Sequence, residues 1–111
     1  MEISEILAAL SALAHPARLD AWRRLAAAEP AGLEAGRLAD AVDSPPNTLS
    51  AQLAILARAG LVAREKRGRS VVYRACPDRV ATMATALTAL CCDGRPDLCR
   101  SSIRSPERSV A

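Results

Sequence analysis

Residues 43–75 read DSPPNTLSAQLAILARAGLVAREKRGRSVVYRA, and a change of pattern inside them decides the fold. Up to Gly60, Leu49, Leu53 and Leu56 recur at helical spacing and form one apolar stripe. Asp43-Ser44-Pro45-Pro46 ahead of them carries capping and first-turn signals, and Gly60 is a C-terminal stop. Beyond Gly60 the period changes. LVAREKR and SVVYRA predict two short strands around a basic turn at Gly68-Arg69, with Pro77 ending the second.

Working outward, ISEILAALSAL (residues 3–13) places Ile3, Ile6, Leu7, Leu10 and Leu13 at helical spacing. His15-Pro16 interrupts it, and Pro16 suits the first position of a second helix, ARLDAWRRLAAAE, with Leu19, Trp22 and Leu25 on its buried side. After a turn at Pro30–Gly32, LEAGRLADAV predicts a short third helix with Leu38 and Val42 inward. RVATMATALTALCC (residues 79–92) returns to helix, with Val80, Met83, Ala84, Leu87, Leu90 and Cys91 on one face. Two helices joined by a tight polar turn, followed by a basic hairpin, predict a mainly α fold with a β-hairpin: a winged helix-turn-helix.

With 111 residues, half of them apolar, the chain suits one compact domain. Ala and Leu dominate, Phe is absent, and Trp22 and Tyr73 are the only large aromatics, which favours packed helices. No apolar run reaches the roughly 18 residues of a spanning helix, so a cytoplasmic protein without membrane contact is expected. The net charge of +3 is unevenly spread: residues 1–43 balance at −3, residues 44–79 at +5 and residues 80–111 at +1. Such a concentration is the footprint of a polyanion-binding surface or of a solvated arginine-rich face.

A recognition helix presents its early outward positions to base edges in the major groove. With the leucine stripe turned inward, Asn47, Thr48, Ser50, Ala51 and Gln52 are the candidate base-contacting positions. Gln is able to pair bidentately with adenine. Arg64, Lys66, Arg67 and Arg69 of the hairpin are candidates for phosphates or the minor groove. Double-stranded DNA is the expected partner. Apolar faces on the first and last helices exceed what one small core takes up. Ile6, Leu7, Leu10, Met83, Leu87 and Leu90 are therefore the expected interface of a two-fold homodimer.

Three of the four cysteines, Cys91, Cys92 and Cys99, fall within LCCDGRPDLC at residues 90–99. In a reducing compartment such clusters are metal ligands or redox sensors more often than disulfides. Dithiol oxidoreductases place Cys-x-x-Cys at a helix start near a βαβ unit, and arsenate reductases need an anion-binding loop. Neither is present, so no enzyme is predicted. The chain divides into a DNA-binding and dimerisation domain (1–90), a cysteine segment (91–99) and a flexible, serine- and arginine-rich tail (100–111).

ALAHPARLDAWRRL and LADAVDSPPNTLSAQLAILARAGLVAREKRGRSVVYRA together resemble the ArsR/SmtB family of metal-responsive repressors, from about Leu13 to Ala75. The resemblance implies a homodimer, paired through its first and last helices, that leaves operator DNA when an inducer binds. One branch of the family uses cysteines in the helix before the recognition helix, and LEAGRLADAV has none. Another binds zinc through Asp and His on the last helix, and the single histidine here is His15. TALCCDGRPDLC resembles a third branch, which senses trivalent arsenic. Relatives in that branch carry an aromatic residue and His where this chain has Ala51-Gln52, which bears on operator sequence and not on fold.

Soft thiolates suit thiophilic centres, and Gly94 and Pro96 allow Cys99 to return towards Cys91 and Cys92. Three thiolates with no histidine nearby fit trigonal As(III) or Sb(III); methylarsenite, with two open sites, fits Cys91 and Cys92. The expected protein is a repressor released from its operator by trivalent arsenic. Two other readings stay open. One is an oxidant or reactive-sulfur sensor built on the same thiols. The other is a structural zinc site of four thiolates, completed by Cys76.

Overall fold

The three leucines of the stripe, Leu49, Leu53 and Leu56, are 4%, 1% and 0% exposed, and the other elements assemble on them. The computed structural model describes residues 1–91. In chain order the elements are α1 (Ile3–Leu13), α2 (Pro16–Ala27), β1 (Leu33–Glu34), α3 (Ala35–Val42), α4 (Pro46–Arg58), β2 (Val62–Arg67), β3 (Ser70–Ala75) and α5 (Pro77–Cys91). Leu25, Leu38, Leu53, Leu56 and Leu61 are the largest fully buried side chains. Each contributes about 1.5–3 kcal/mol by leaving water.

Local chemistry sets the helix boundaries. Pro16 holds His15 extended, and the His15 Nδ1 accepts the Ala17 N–H at 3.2 Å, opening α2. Asp43 ends α3 in the left-handed region at φ 51°, with Ser44 N–H returning to the Ala39 carbonyl. Short polar residues tolerate that region. Asp43 and Ser44 therefore close α3 and do not cap α4, whose N-cap is Pro45 with no side-chain hydrogen bond. At the far end of α4, Gly60 (φ 79°) donates to the Ala57 carbonyl and Leu61 N–H to the Leu56 carbonyl. This pairing is a Schellman motif and turns the chain into β2.

The sheet has three strands in the order β1-β3-β2, all antiparallel. Leu33 and Glu34, expected at the start of the third helix, instead pair with Tyr73 and Val72. The reason is tertiary: β3 has an open edge there, and Gly32 lets the chain approach it. At φ 76°, Gly32 sits where an added Cβ would lie 2.5 Å from the Tyr73 carbonyl oxygen. Side chains alternate across the sheet. Leu33, Val62, Tyr73 and Ala75 join the helical core, while the buried Val72 is covered on the opposite face.

Two further expectations need correction. Leu19 is 43% exposed. It lies about 120° around α2 from Leu25, off the core-facing stripe that Ala21 and Leu25 occupy. Trp22 is half-buried on the edge of that stripe and donates from Nε1 to the Leu61 carbonyl at 2.9 Å. Ile6 and Met83, expected in a subunit interface, are 3% and 6% exposed within the single chain. They belong to its own core, because α1 packs on α2 and α4 as well as on α5.

Candidate nucleic-acid interface

α4 turns Leu49, Leu53 and Leu56 inward, so the residues between them face out. Asn47, Thr48, Ser50 and Ala51 are exposed, as expected, and Gln52 is half-buried. Asn47 and Ser50 line a cleft of about 240 Å³ with Ala35, Gly36, Leu49 and Tyr73, between the helix-turn-helix and the sheet. The strand register places Arg64 directly opposite Tyr73 and Lys66 opposite Val71. Cross-strand partners share a face, with their Cβ atoms about 5 Å apart. Both basic side chains therefore lie on the helix side of the sheet, and Arg64 is next to the residue that borders Asn47 and Ser50. Gly68, at φ 60°, makes the tight turn, and Arg69 is exposed at its tip.

Arg67 does not join this group. One strand position on from Lys66, it belongs to the opposite face, the face of Glu65 and Glu34. Its Nε donates to the Glu65 carboxylate at 2.7 Å. That hydrogen bond holds the Glu65 carboxyl below its ordinary value of 4.5 and raises the Arg67 guanidinium.

Pairing also thins the charge that the sequence concentrates between residues 44 and 79. Arg74 meets Glu29 at 3.3 Å and Arg79 meets Glu5 at 3.2 Å. Among the described residues, Arg58, Arg64, Lys66 and Arg69 of that stretch form no ion pair. Three of these four lie on the hairpin of β2 and β3.

Two further arginines have surroundings that residue type does not signal. Arg18 of α2 donates to Gln52, and no periodicity signals a contact across 34 positions. Arg37 of α3 shares a small cleft of about 160 Å³ with Glu34, Arg67 and Val72.

Leu7 and Leu90 are 60% and 51% exposed on α1 and α5, and Leu10 and Leu87 are half-buried. Ile3 adds a further 60% exposed side chain to α1. Cys91 ends α5 with its thiol exposed, whereas Cys76 is half-buried where β3 leads into α5. The helix between them is about 22 Å long, so one chain cannot bring both thiols to a single metal ion. Cys92 and Cys99, with the boundary of the tail, lie outside the described residues. Among the described residues no three His, Cys, Asp or Glu side chains form a metal-binding group, and no helix is long and apolar enough to cross a membrane.

A helix-turn-helix domain family matches residues 13–65, the span from the end of α1 to the middle of β2. The biofilm growth-associated repressor of Agrobacterium fabrum is 36% identical over 89 residues, 80% of this chain and 74% of that protein. An ArsR-like transcriptional regulator from Rhodococcus sp. RHA1 has the same fold, with a TM-score of 0.74 at 24% identity over 91% of both chains. A homodimeric winged helix-turn-helix DNA-binding domain from Mycobacterium bovis, a possible ArsR-family regulator, gives a TM-score of 0.65 at 24% identity, covering 82% of each chain.

Proposed function

The chain belongs to the ArsR-like family of winged-helix transcriptional regulators, and from that premise we propose that it is a homodimeric repressor released from operator DNA by trivalent arsenic. Asn47, Thr48, Ser50, Ala51 and Gln52 face the major groove, and Arg64, Lys66 and Arg69 meet phosphates beside it. The name of the Agrobacterium relative, a repressor, supports the direction of regulation. The homodimeric relative supports pairing of two chains, and the exposed Leu7 and Leu90 supply apolar surface for it.

One observation carries the inducer reading: the exposed Cys91 thiol ends α5, and Cys92 and Cys99 follow it closely in sequence. Three thiolates would hold As(III) or Sb(III), and two would hold methylarsenite, with loss of the thiol protons on binding. Leu87 and Leu90 lie within about one turn of Cys91 on α5, so a change at that end reaches the surface expected to pair the subunits. Moving a repressor from mostly bound to mostly released takes about 5 kcal/mol of differential inducer binding. Several metal–thiolate bonds are of that order. A four-thiolate zinc site is disfavoured within one chain by the length of α5.

The test is a fluorescence anisotropy titration of the DNA-bound protein, using DNA from upstream of its gene, with arsenite and separately with zinc. Release by arsenite and not zinc supports the reading, and a Cys91→Ser, Cys92→Ser protein then stays bound. Release by neither moves the assignment to oxidants or reactive sulfur. Absence of salt-dependent DNA binding overturns the repressor itself.

A further inference from the structure

Arg18, on α2, donates from Nε to the Ala12 carbonyl at 2.6 Å, from Nη2 to the Ser11 carbonyl at 3.3 Å and from Nη1 to Gln52 Oε1 at 2.8 Å. The two carbonyls belong to the last turn of α1, where the Ser11 carbonyl accepts the Ala14 N–H at 3.3 Å and the residue four after Ala12 is Pro16, which has no N–H to give. The third acceptor lies on α4, one turn after Thr48. A single guanidinium thus ties the end of α1 to a half-buried side chain of the recognition helix.

The chemistry of that contact also sets the orientation of Gln52. A guanidinium carries donors only, so the amide atom that faces it must be the oxygen. Nε2, with both of its N–H groups, is left with no partner among the described residues. Free glutamine reads adenine through both amide atoms at once, accepting from N6 and donating to N7. Oε1 keeps a second lone pair, but with that atom held against Arg18 the amide atom left without a partner is Nε2.

We propose that Arg18 makes Gln52 a donor-only reader of the operator, matched to guanine or thymine and not to adenine. This inference rests on the proposed DNA contact of α4. The acceptors that suit Nε2 are guanine O6 and N7 and thymine O4. The preference opposes the one expected from glutamine as a residue type. Arg18 is a positioning residue here: it touches no base and selects which half of the amide is presented.

The experiment selects binding sites from a randomised duplex pool with the full-length protein and with Gln52→Glu and Arg18→Met variants, and checks each protein by thermal melting. The wild type is expected to select guanine or thymine at the position that responds to residue 52. Gln52→Glu keeps an acceptor for Arg18 and melts with the parent, but changes that position to cytosine, whose N4 amine a carboxylate accepts. Arg18→Met frees Oε1, and discrimination against adenine at the same position falls about tenfold while other positions hold. Adenine at that position in the wild type, or no position responding to Gln52→Glu, overturns the inference. So does an unchanged preference in a folded Arg18→Met protein. If Arg18→Met does not fold, the wild type and Gln52→Glu still decide between these outcomes. A folded wild type that selects no DNA overturns the repressor reading and this inference with it.

Discussion

Arg79 of α5 donates from Nη2 to the Glu5 carboxylate of α1 at 3.2 Å, joining the last helix of the fold to the first across 74 positions. Glu5 also accepts the Glu2 N–H at 2.9 Å. The backbone hydrogen bond first, and the Arg79 hydrogen bond second, hold its carboxyl below the ordinary value of 4.5. A depressed carboxylate stabilises the folded chain above its unfolded value, and that contribution fades as the pH falls through the folded one. Glu5→Gln keeps a side-chain acceptor for Glu2 and removes the charge. It is expected to melt below the wild type at pH 7 and to converge with it as the pH falls below 4.5 and through the lowered value of Glu5. Melting curves by circular dichroism across that range check the prediction.

The wing cations are expected to divide by face. Arg64→Ala and Lys66→Ala each reduce the slope of log affinity against log salt by about 0.9, the value for one lost phosphate contact. Arg67→Ala leaves the slope close to that of the wild type, since Arg67 is on the other face and engaged by Glu65. Anisotropy titrations at several salt concentrations distinguish the three.

Neighbouring residues on α1 separate assembly from folding. Leu7 is 60% exposed and Ile6 3%. Leu7→Glu is expected to sediment as a monomer with its helical spectrum intact. Ile6→Glu places a charge in the core and loses the spectrum, because a buried unpaired carboxylate costs several kcal/mol, about the stability of a small domain. Analytical ultracentrifugation and far-ultraviolet circular dichroism read the two effects independently.

Two glycines close in sequence respond in opposite directions. Gly32→Ala meets the Tyr73 carbonyl at a positive φ and is expected to destabilise by more than about 1 kcal/mol. Gly36→Ala lies in α3 with nothing within 4 Å of the new Cβ, and is expected to stabilise by about 0.5–1 kcal/mol. Urea denaturation of both variants checks the signs.

Cys76 is expected to be silent in the inducer response. Cys76→Ser leaves arsenite-driven release of DNA where the wild type has it, because α5 holds this residue about 22 Å from Cys91. A response lost in Cys76→Ser would bring the partner subunit's copy of this region into the site.

Most of the architecture is written in local pattern. α1 runs from Ile3 to Leu13 as its apolar spacing predicts, Pro16 starts α2, and Gly60 ends α4. The hairpin turns at Gly68-Arg69, between the two strands that follow the change of period at Gly60. These features depend on a few neighbouring residues, whose steric and hydrogen-bonding preferences act before any long-range contact forms. The outward residues of α4 were legible for the same reason: once the leucine stripe is buried, geometry leaves them outside.

Only the tertiary structure decided which of those residues are available. Leu33 and Glu34 have helical neighbours but pair with β3, which the chain brings alongside after about 40 intervening residues. Arg67, Arg74 and Arg79 count as free positive charge in a sequence, yet each meets a carboxylate, two of them from distant parts of the chain. Gln52 reads as a two-sided hydrogen-bonding group until Arg18, 34 positions earlier, takes its oxygen. Residue type and spacing specify what a side chain is able to do. Folding brings distant partners together, and that proximity selects which of those capacities remains.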